Sequence, residues 1–312
     1  MVILNLALFL AALFVLVKSA EHAVNYSSKL AKMLGISEFI VSFFLIAFIS
    51  CFPEATVAVV SSIDGVPEFG LGTLLGSNVA DLALVFGLVA MFSMNGIKVK
   101  SEILKNDLLY LLLLLVPIIL GIDGHLSRTD GALLVLSGAI FLLTLSIQSK
   151  MFTKKFNDVK DHSWAKNLVL LAISLAFLVA GAYYTVKFGV DFANDISLPP
   201  ILIALSLVSI GTCMPELVFS LNAVKKRHYE LALGDILGTV IIDATILVGV
   251  MALIKPFDFD PMIIYVTGGL MVVSGALAIS FIRSEKILSK KEGMYLLLFY
   301  ILSLIIQFIA NG

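Results

Sequence analysis

Cysteine, tryptophan and histidine are scarce: the 312 residues hold two cysteines, one tryptophan and four histidines. Two thiols cannot build a disulfide framework or a CxxC-type zinc spacing, and a bond between them would demand a specific geometry, so none is expected. Charge is scarce too. With 60% hydrophobic and 14% charged residues, the chain has more apolar surface than a soluble core can bury. That excludes a soluble globular enzyme and leaves an integral membrane protein. The net charge of −1 and the confinement of basic residues to particular loops give no face for nucleic acid. No GxxxxGK[ST] phosphate loop occurs, so ATP is not the expected energy source, and no cofactor is expected. The amino terminus, Met1 to Val17, has no basic segment before its apolar run, and Lys18 follows it; it reads as a retained helix rather than a cleaved signal. His22, His125, His162 and His228 all fall in expected loops, away from any proton relay across the core.

What the chain does have is apolar runs. Each bilayer crossing needs roughly 20 such residues, and ten runs qualify, at about 2–18, 39–62, 69–94, 106–122, 130–148, 167–188, 198–222, 230–254, 262–282 and 293–310. Of the 21 lysines and arginines, 18 fall in one alternate set of loops, while Arg128, Lys187 and Lys255 fall in the other. By the positive-inside rule the richer set is cytoplasmic and both termini lie outside. The run Lys225-Lys226-Arg227-His228 reads as part of that signal. The loop of about 149–166 is too short for a domain and too poor in acids for a calcium-sensing module, so it reads as a tether.

A duplication organises these spans. Ser50-Cys51-Phe52-Pro53-Glu54 is echoed 162 residues later by Thr212-Cys213-Met214-Pro215-Glu216, and at the same offset Gly72, Gly76, Ser77, Asp81 and Gly87 fall on Gly234, Gly238, Thr239, Asp243 and Gly249. Ten of the 37 positions from Cys51 to Gly87 are identical to their partners. The halves are therefore 1–148 and 167–312, with the most similar stretches at about 42–87 and 204–249. Five spans per half is an odd number, so the second half enters the membrane from the opposite side. The fold class expected is an all-α membrane protein of ten transmembrane helices in two inverted five-helix repeats, an arrangement used by many secondary transporters.

Four carboxylates lie well inside the spans: Glu54, Asp81, Glu216 and Asp243. An ionisable side chain at that depth is by default a functional-site hypothesis. Ser50 and Cys51 share a helix face with Glu54, as Thr212 and Cys213 do with Glu216; Ser77 stands one turn before Asp81, and Thr239 before Asp243. Pro53 and Pro215 each remove a backbone donor and free a carbonyl. Where the two halves meet, these faces enclose carboxylate, hydroxyl and carbonyl oxygens, a donor set suited to hard cations, calcium especially and sodium also. The competing structural reading, neutral acids bonded to neighbouring helices, accounts poorly for four acids at related positions beside prolines. Gly72xxxGly76 and Gly234xxxGly238 read as close-packing spacings that let the third and eighth helices approach the Pro-Glu helices. Glu68 and Glu230, at helix starts, suit the helix dipole. Asp235 has no acidic counterpart, Thr73 standing opposite it; an accessory vestibule charge and a neutral packing acid remain open for it.

These motifs resemble the calcium/cation antiporter superfamily, which contains the sodium/calcium exchangers. Its repeats read Gly-Thr-Ser-Leu-Pro-Glu and then Gly-Ser-Asn-x-x-Asn or Asp. The resemblance implies that Glu54 and Glu216 ligate calcium and sodium, that Ser77 and Thr239 supply hydroxyls and Asp243 a carboxylate, and that backbone carbonyls come from Ser50, Thr212, Ala47 and Ser209. In this chain Cys51 and Cys213 replace family serines, Ile49 a glycine and Asp81 an asparagine. A thiol is a softer ligand than a hydroxyl.

The expected function is secondary-active antiport of a divalent cation, calcium first, against sodium or protons by alternating access, with the bilayer and inorganic cations as partners. No protein partner is evident. A passive cation channel with a carboxylate-lined pore is the alternative, separated by whether flux saturates and needs an ion on the opposite side. A non-transporting scaffold would tolerate neutral replacement of all four acids. Four ionised carboxylates around one dication would leave a formal charge of −2 in the membrane core, where each unpaired charge costs at least ~2.5 kcal/mol. Protons are therefore expected as at least one counter-ion.

Overall fold

The computed structural model describes residues 1–33, 50–93, 97–98, 107–148, 163–225, 229–285 and 287–311. Helices dominate. In the first half they are α1 (Val2–Met33), α2 (Phe52–Ile63), α3 (Pro67–Val79) running through the π-helical segment π1 (Ala80–Val85) into α4 (Phe86–Phe92), α5 (Asp107–Leu120) and α6 (Arg128–Gln148). In the second they are α7 (Trp164–Asp195), then α8 (Pro200–Ile203), π2 (Ala204–Val208) and α9 (Ser209–Thr212) before α10 (Met214–Lys225), then α11 (Tyr229–Ile241), π3 (Ile242–Leu247) and α12 (Val248–Ile254), π4 (Ile263–Gly268) with α13 (Gly269–Glu285), and α14 (Lys290–Asn311). The 162-residue offset holds for the backbone: α1, α2, α3, π1 and α4 map residue for residue onto α7, α10, α11, π3 and α12. A π segment widens the helix by one residue at the cost of poorer bonds and frequently marks a functional site. Finding one at the same place in both halves, with Asp81 and Asp243 as its second residue, ties that distortion to the acids.

Among the described residues, seven helices are long and apolar enough to cross a bilayer, and two further apolar helices, Phe52–Ile63 and Asp107–Leu120, are shorter. The expected span 39–62 is described only from Ser50 onward. The first helix departs from expectation, since α1 continues to Met33 rather than ending near residue 18. Its polar extension is held by local pairs one turn apart: Lys18 Nζ lies 2.7 Å from Glu21 Oε2, and the Lys29 ammonium sits 5.3 Å from the Tyr26 ring centroid. Such pairs support a helix where apolar packing ends. His22 is thus helical, not in a loop.

Burial is inverted relative to a water-soluble protein. The α3–π1 stretch is buried from Phe69 to Ala83, whereas Phe14, Leu108, Ile140, Phe177 and Ile309 stand exposed on the outer helices, a continuous apolar exterior that water would not tolerate. Helices meet closely at small residues. A Cβ on Gly87 would lie 2.9 Å from Gly293 O, and one on Gly249 would lie 2.6 Å from Gly131 O; the two crossings are each other's counterparts at the same offset. Gly76 is packed against the backbone of Leu205, where a Cβ would come within 2.9 Å of the carbonyl oxygen and 3.0 Å of Cα. The Gly72-Gly76 stripe therefore meets the α8–π2–α9 segment of the opposite half, which leads into the Pro-Glu helix α10.

Two short ladders join loops between halves. β1 (Ile97–Lys98) pairs antiparallel with β4 (Ile287–Leu288), and β2 (His125–Leu126) with β3 (Phe257–Asp258). His125 Nδ1 lies 2.6 Å from Asp258 Oδ1, Asn5 Nδ2 donates to Asp195 Oδ2 at 2.9 Å, the Asp260 amide donates to Glu68 Oε1 at 3.2 Å, and Arg283 pairs with Asp107. Each of these contacts connects loops or helix ends that the distribution of basic residues assigns to one face.

Candidate cation-binding site

The site begins at two matching breaks. Cys51 and Cys213 are turn residues with φ −66°, ψ −1° and φ −74°, ψ 0°, and each precedes the helix carrying the Pro-Glu pair. Proline thus sits in the first turn of a new helix, where its missing N–H is no loss, rather than in the middle of a continuous one. What it does remove is the donor that the carbonyl four residues earlier would have received. Glu54 and Glu216 fall in the first turns of α2 and α10, where the exposed amide ends favour negative charge.

Glu54, Asp81, Glu216 and Asp243 are all fully buried, and so is Asp235. The halves exchange contacts reciprocally here. Cys51 Sγ lies 4.0 Å from Thr239 O, and its counterpart Cys213 Sγ donates to Ser77 O at 3.5 Å. Cys213 stands beside Asp81 and Cys51 beside Asp243; Thr212 stands beside Glu54. Neither cysteine is in a disulfide. Ser77 Oγ donates to Asp243 Oδ2 at 3.2 Å and Ser50 Oγ to Asp235 Oδ1 at 3.1 Å, with Thr239 Oγ1 3.2 Å from Ser50 Oγ.

After these bonds many oxygens remain. Both carboxylate oxygens of Glu54, Asp81 and Glu216, and one each of Asp235 and Asp243, are buried with no hydrogen-bond partner. Leaving a buried polar group unmatched costs about 1–3 kcal/mol, and more for a charged one. Among the described residues, no three side chains drawn from His, Cys, Asp and Glu converge as a ready-made metal cage. A cation would have to be shared among carboxylates, hydroxyls and carbonyls from both halves, which is the hard, oxygen-rich chemistry of calcium and sodium.

Of the expected ligands, Ala47 lies outside the described residues. The Ser209 carbonyl accepts both the Cys213 amide at 3.1 Å and the Thr212 hydroxyl at 3.2 Å. Its own hydroxyl donates to Ala204 O at 2.6 Å and reaches Thr73 O at 3.2 Å. Two residues carry more weight than sequence gave them. Asp235 is bonded to Ser50 at the junction of the halves, and its spacing from Thr239 and Asp243, four and eight residues along α11 and π3, was the available signal. Asn78 is buried with Nδ2 3.3 Å from Met271 Sδ and Oδ1 unpartnered.

The family profile described as "Sodium/calcium exchanger protein" matches residues 4–147 and again 166–309, two matches separated by the same 162 residues. The chain belongs to the sodium/calcium exchanger family. It is a transporter, not an enzyme, and an integral multi-pass membrane protein. Among this exchanger's relatives, "Sodium/calcium exchanger MaX1" of Methanosarcina acetivorans is 25% identical over 99% of both chains. "Putative antiporter CaxA" of Alkalimonas amylolytica is 29% identical over 94% of this chain and 95% of its own. The solved sodium-calcium exchanger NCX_Mj, soaked with Na+ and Sr2+, superposes with a TM-score of 0.69 at 28% identity, covering 98% of this chain and 99% of that one. Cation antiport follows as the broad activity.

Proposed function

We propose that the protein exchanges Ca2+ for Na+ or H+ by alternating access, with protons as at least one counter-ion. The observation that carries this reading is the set of buried carboxylate oxygens without partners, drawn from both halves at matching helix breaks. A dication bridging Glu54 and Glu216, with Asp81, Asp243 and the hydroxyls of Ser77 and Thr239 around it, would satisfy oxygens that protein groups leave bare. Ser50, Thr212, Cys51 and Cys213 border that space. The repeating backbone supports ten helices in two inverted five-helix units, 1–148 and 167–312, joined by a tether at 149–166, with both termini outside the cytoplasm. Odd-numbered units of opposite sense give two mouths related by pseudo-symmetry, each able to expose the same ligands in turn.

The proton assignment follows from charge. Counting Asp235, five ionised carboxylates around one dication would leave a formal charge of −3 in a medium where each unpaired charge costs at least ~2.5 kcal/mol. Thiols at 51 and 213 coordinate sodium poorly. Protons neutralise departing-calcium states without a preformed metal site. In proteoliposomes, 45Ca2+ uptake is expected under an inside-acid gradient with no sodium present, with alkalinisation of the lumen. Uptake that needs internal sodium and ignores the pH gradient would refute proton coupling; flux needing no ion on the far side would identify a channel.

A further inference from the structure

Asp81 and Asp243 match in sequence, but the helices behind them do not. On α14 the face packed against π1 and α4 carries Tyr300, Ser303 and Gln307, where the counterparts on α6 are Gly138, Phe141 and Leu145. Tyr110 on α5 likewise has Val272 as its counterpart, and Asn78 on α3 has Val240. One acid therefore has a polar flank and its twin an apolar one.

Five side chains on that flank are buried, each with an oxygen that has no hydrogen-bond partner among the described residues: Asn78 Oδ1, Tyr110 Oη, Thr267 Oγ1, Tyr300 Oη and Gln307 Oε1. The fold gathers them. Tyr110 and Tyr300 both stand near Asp81, and Asn78 lies one turn before it. Asn78 Nδ2 meets Met271 Sδ at 3.3 Å, Thr267 is one turn from Met271, and π4, which holds Thr267, packs on α3, α5 and α14. Along α14 the axial rise from Tyr300 to Gln307 is about 10 Å. A buried oxygen left bare costs the desolvation of that group, whereas an internal water bonded to two to four such groups removes the cost.

We infer that the seam between α14, α5, π4–α13 and α3–π1 binds a short chain of internal water molecules, which hydrates Asp81 from behind and has no counterpart at Asp243. The donor set selects water. Apart from Asp81 at its edge, the seam offers neutral hydroxyls and amides, which both donate and accept and hold no charge to bind a second ion. The two halves then differ in hydration as well as in sequence, although their acids are the same.

The test is X-ray footprinting of the purified full-length protein, in which hydroxyl radicals formed from bound water modify the side chains beside it and mass spectrometry reads the sites. Met271 and Met251 are equally buried, but Met251 packs beside Gly70, outside the seam. Met271, Tyr110 and Tyr300 are expected to be modified at least five-fold faster than Met251. In Tyr300→Phe and Thr267→Val, which delete a hydroxyl and keep the shape, Met271 modification should fall at least three-fold. The Tm of each should drop by about 2 °C or more, because a bound water loses a partner; deleting a hydroxyl that is bare in the folded protein would instead raise the Tm. Met271 modified no faster than Met251, or a Tm unchanged or raised in both variants, would overturn the inference. Should neither variant fold, the comparison of Met271 with Met251 in wild type decides alone. Neither readout involves ion flux, so calcium–proton exchange can fail in proteoliposomes without touching this result, and the reverse.

Discussion

Set side by side, α3–π1 and α11–π3 are the same backbone carrying different side chains. Both run 13 residues of α-helix into six of π-helix, and both present an acid as the second π residue. Yet Thr73 and Asn78 on one stand opposite Asp235 and Val240 on the other. Duplication has kept what sets distances, namely the breaks, the π turns and the glycine crossings. It has released what sets charge. An antiporter needs two mouths of like geometry, but nothing requires their affinities to match, and the difference between positions 73 and 235 is where this chain can make them unequal.

The comparison is tested most severely at the residues that are alike. Glu54→Gln and Glu216→Gln should each reduce calcium exchange to background with the protein still folded, because each would remove from the proposed site a charged ligand worth more than ~1.5 kcal/mol in a poorly solvated cavity. Exchange at wild-type rate in either one would remove that half's glutamate from the site. A second test concerns orientation. In a Cys51→Ser, Cys213→Ser background, reporter cysteines at Asp123 and Glu285, which are counterparts 162 residues apart, should be labelled from opposite faces by an impermeant reagent. Labelling from one face would mean that the halves are parallel, not inverted. Of intermediate size is Gly76→Ala: its Cβ would press on the Leu205 backbone, and overpacking of that kind costs roughly 1–3 kcal/mol, visible as a lowered Tm with binding selectivity intact. The smallest effect is expected from Asp81→Asn, which recreates the residue that family members carry; its turnover should stay within several-fold of wild type. Loss equal to that of Glu54→Gln would show the extra acid to be essential.

Much of this was legible before any coordinates, because a duplication writes itself twice. The offset of 162, the Pro-Glu pairs and the four acids are sequence patterns, and the element bounds follow them. The π segments were not legible: they depend on how a helix accommodates one residue too many under packing, which no local propensity encodes. The length of α1 was misjudged because Lys18, Glu21 and His22 look like a loop when hydropathy is the only guide, whereas charged neighbours one turn apart extend a helix as readily as end it. Asp235 was visible as an unmatched acid, but its weight depended on Ser50, 185 residues away in sequence.

The contacts between the halves at the centre bear on how the chain is made. Ser50 to Asp235, Ser77 to Asp243 and Cys213 to Ser77 each span between 136 and 185 residues of sequence, and both strand ladders likewise join early loops to late ones. During synthesis the first half would enter the bilayer with Glu54 and Asp81 facing no partner, in surroundings where an uncovered acid is expensive. Those acids gain their surroundings from the other half only once the later helices arrive. Assembly of this protein is then a docking of two late-meeting halves, and the carboxylate cluster between them is the last part of the fold to form.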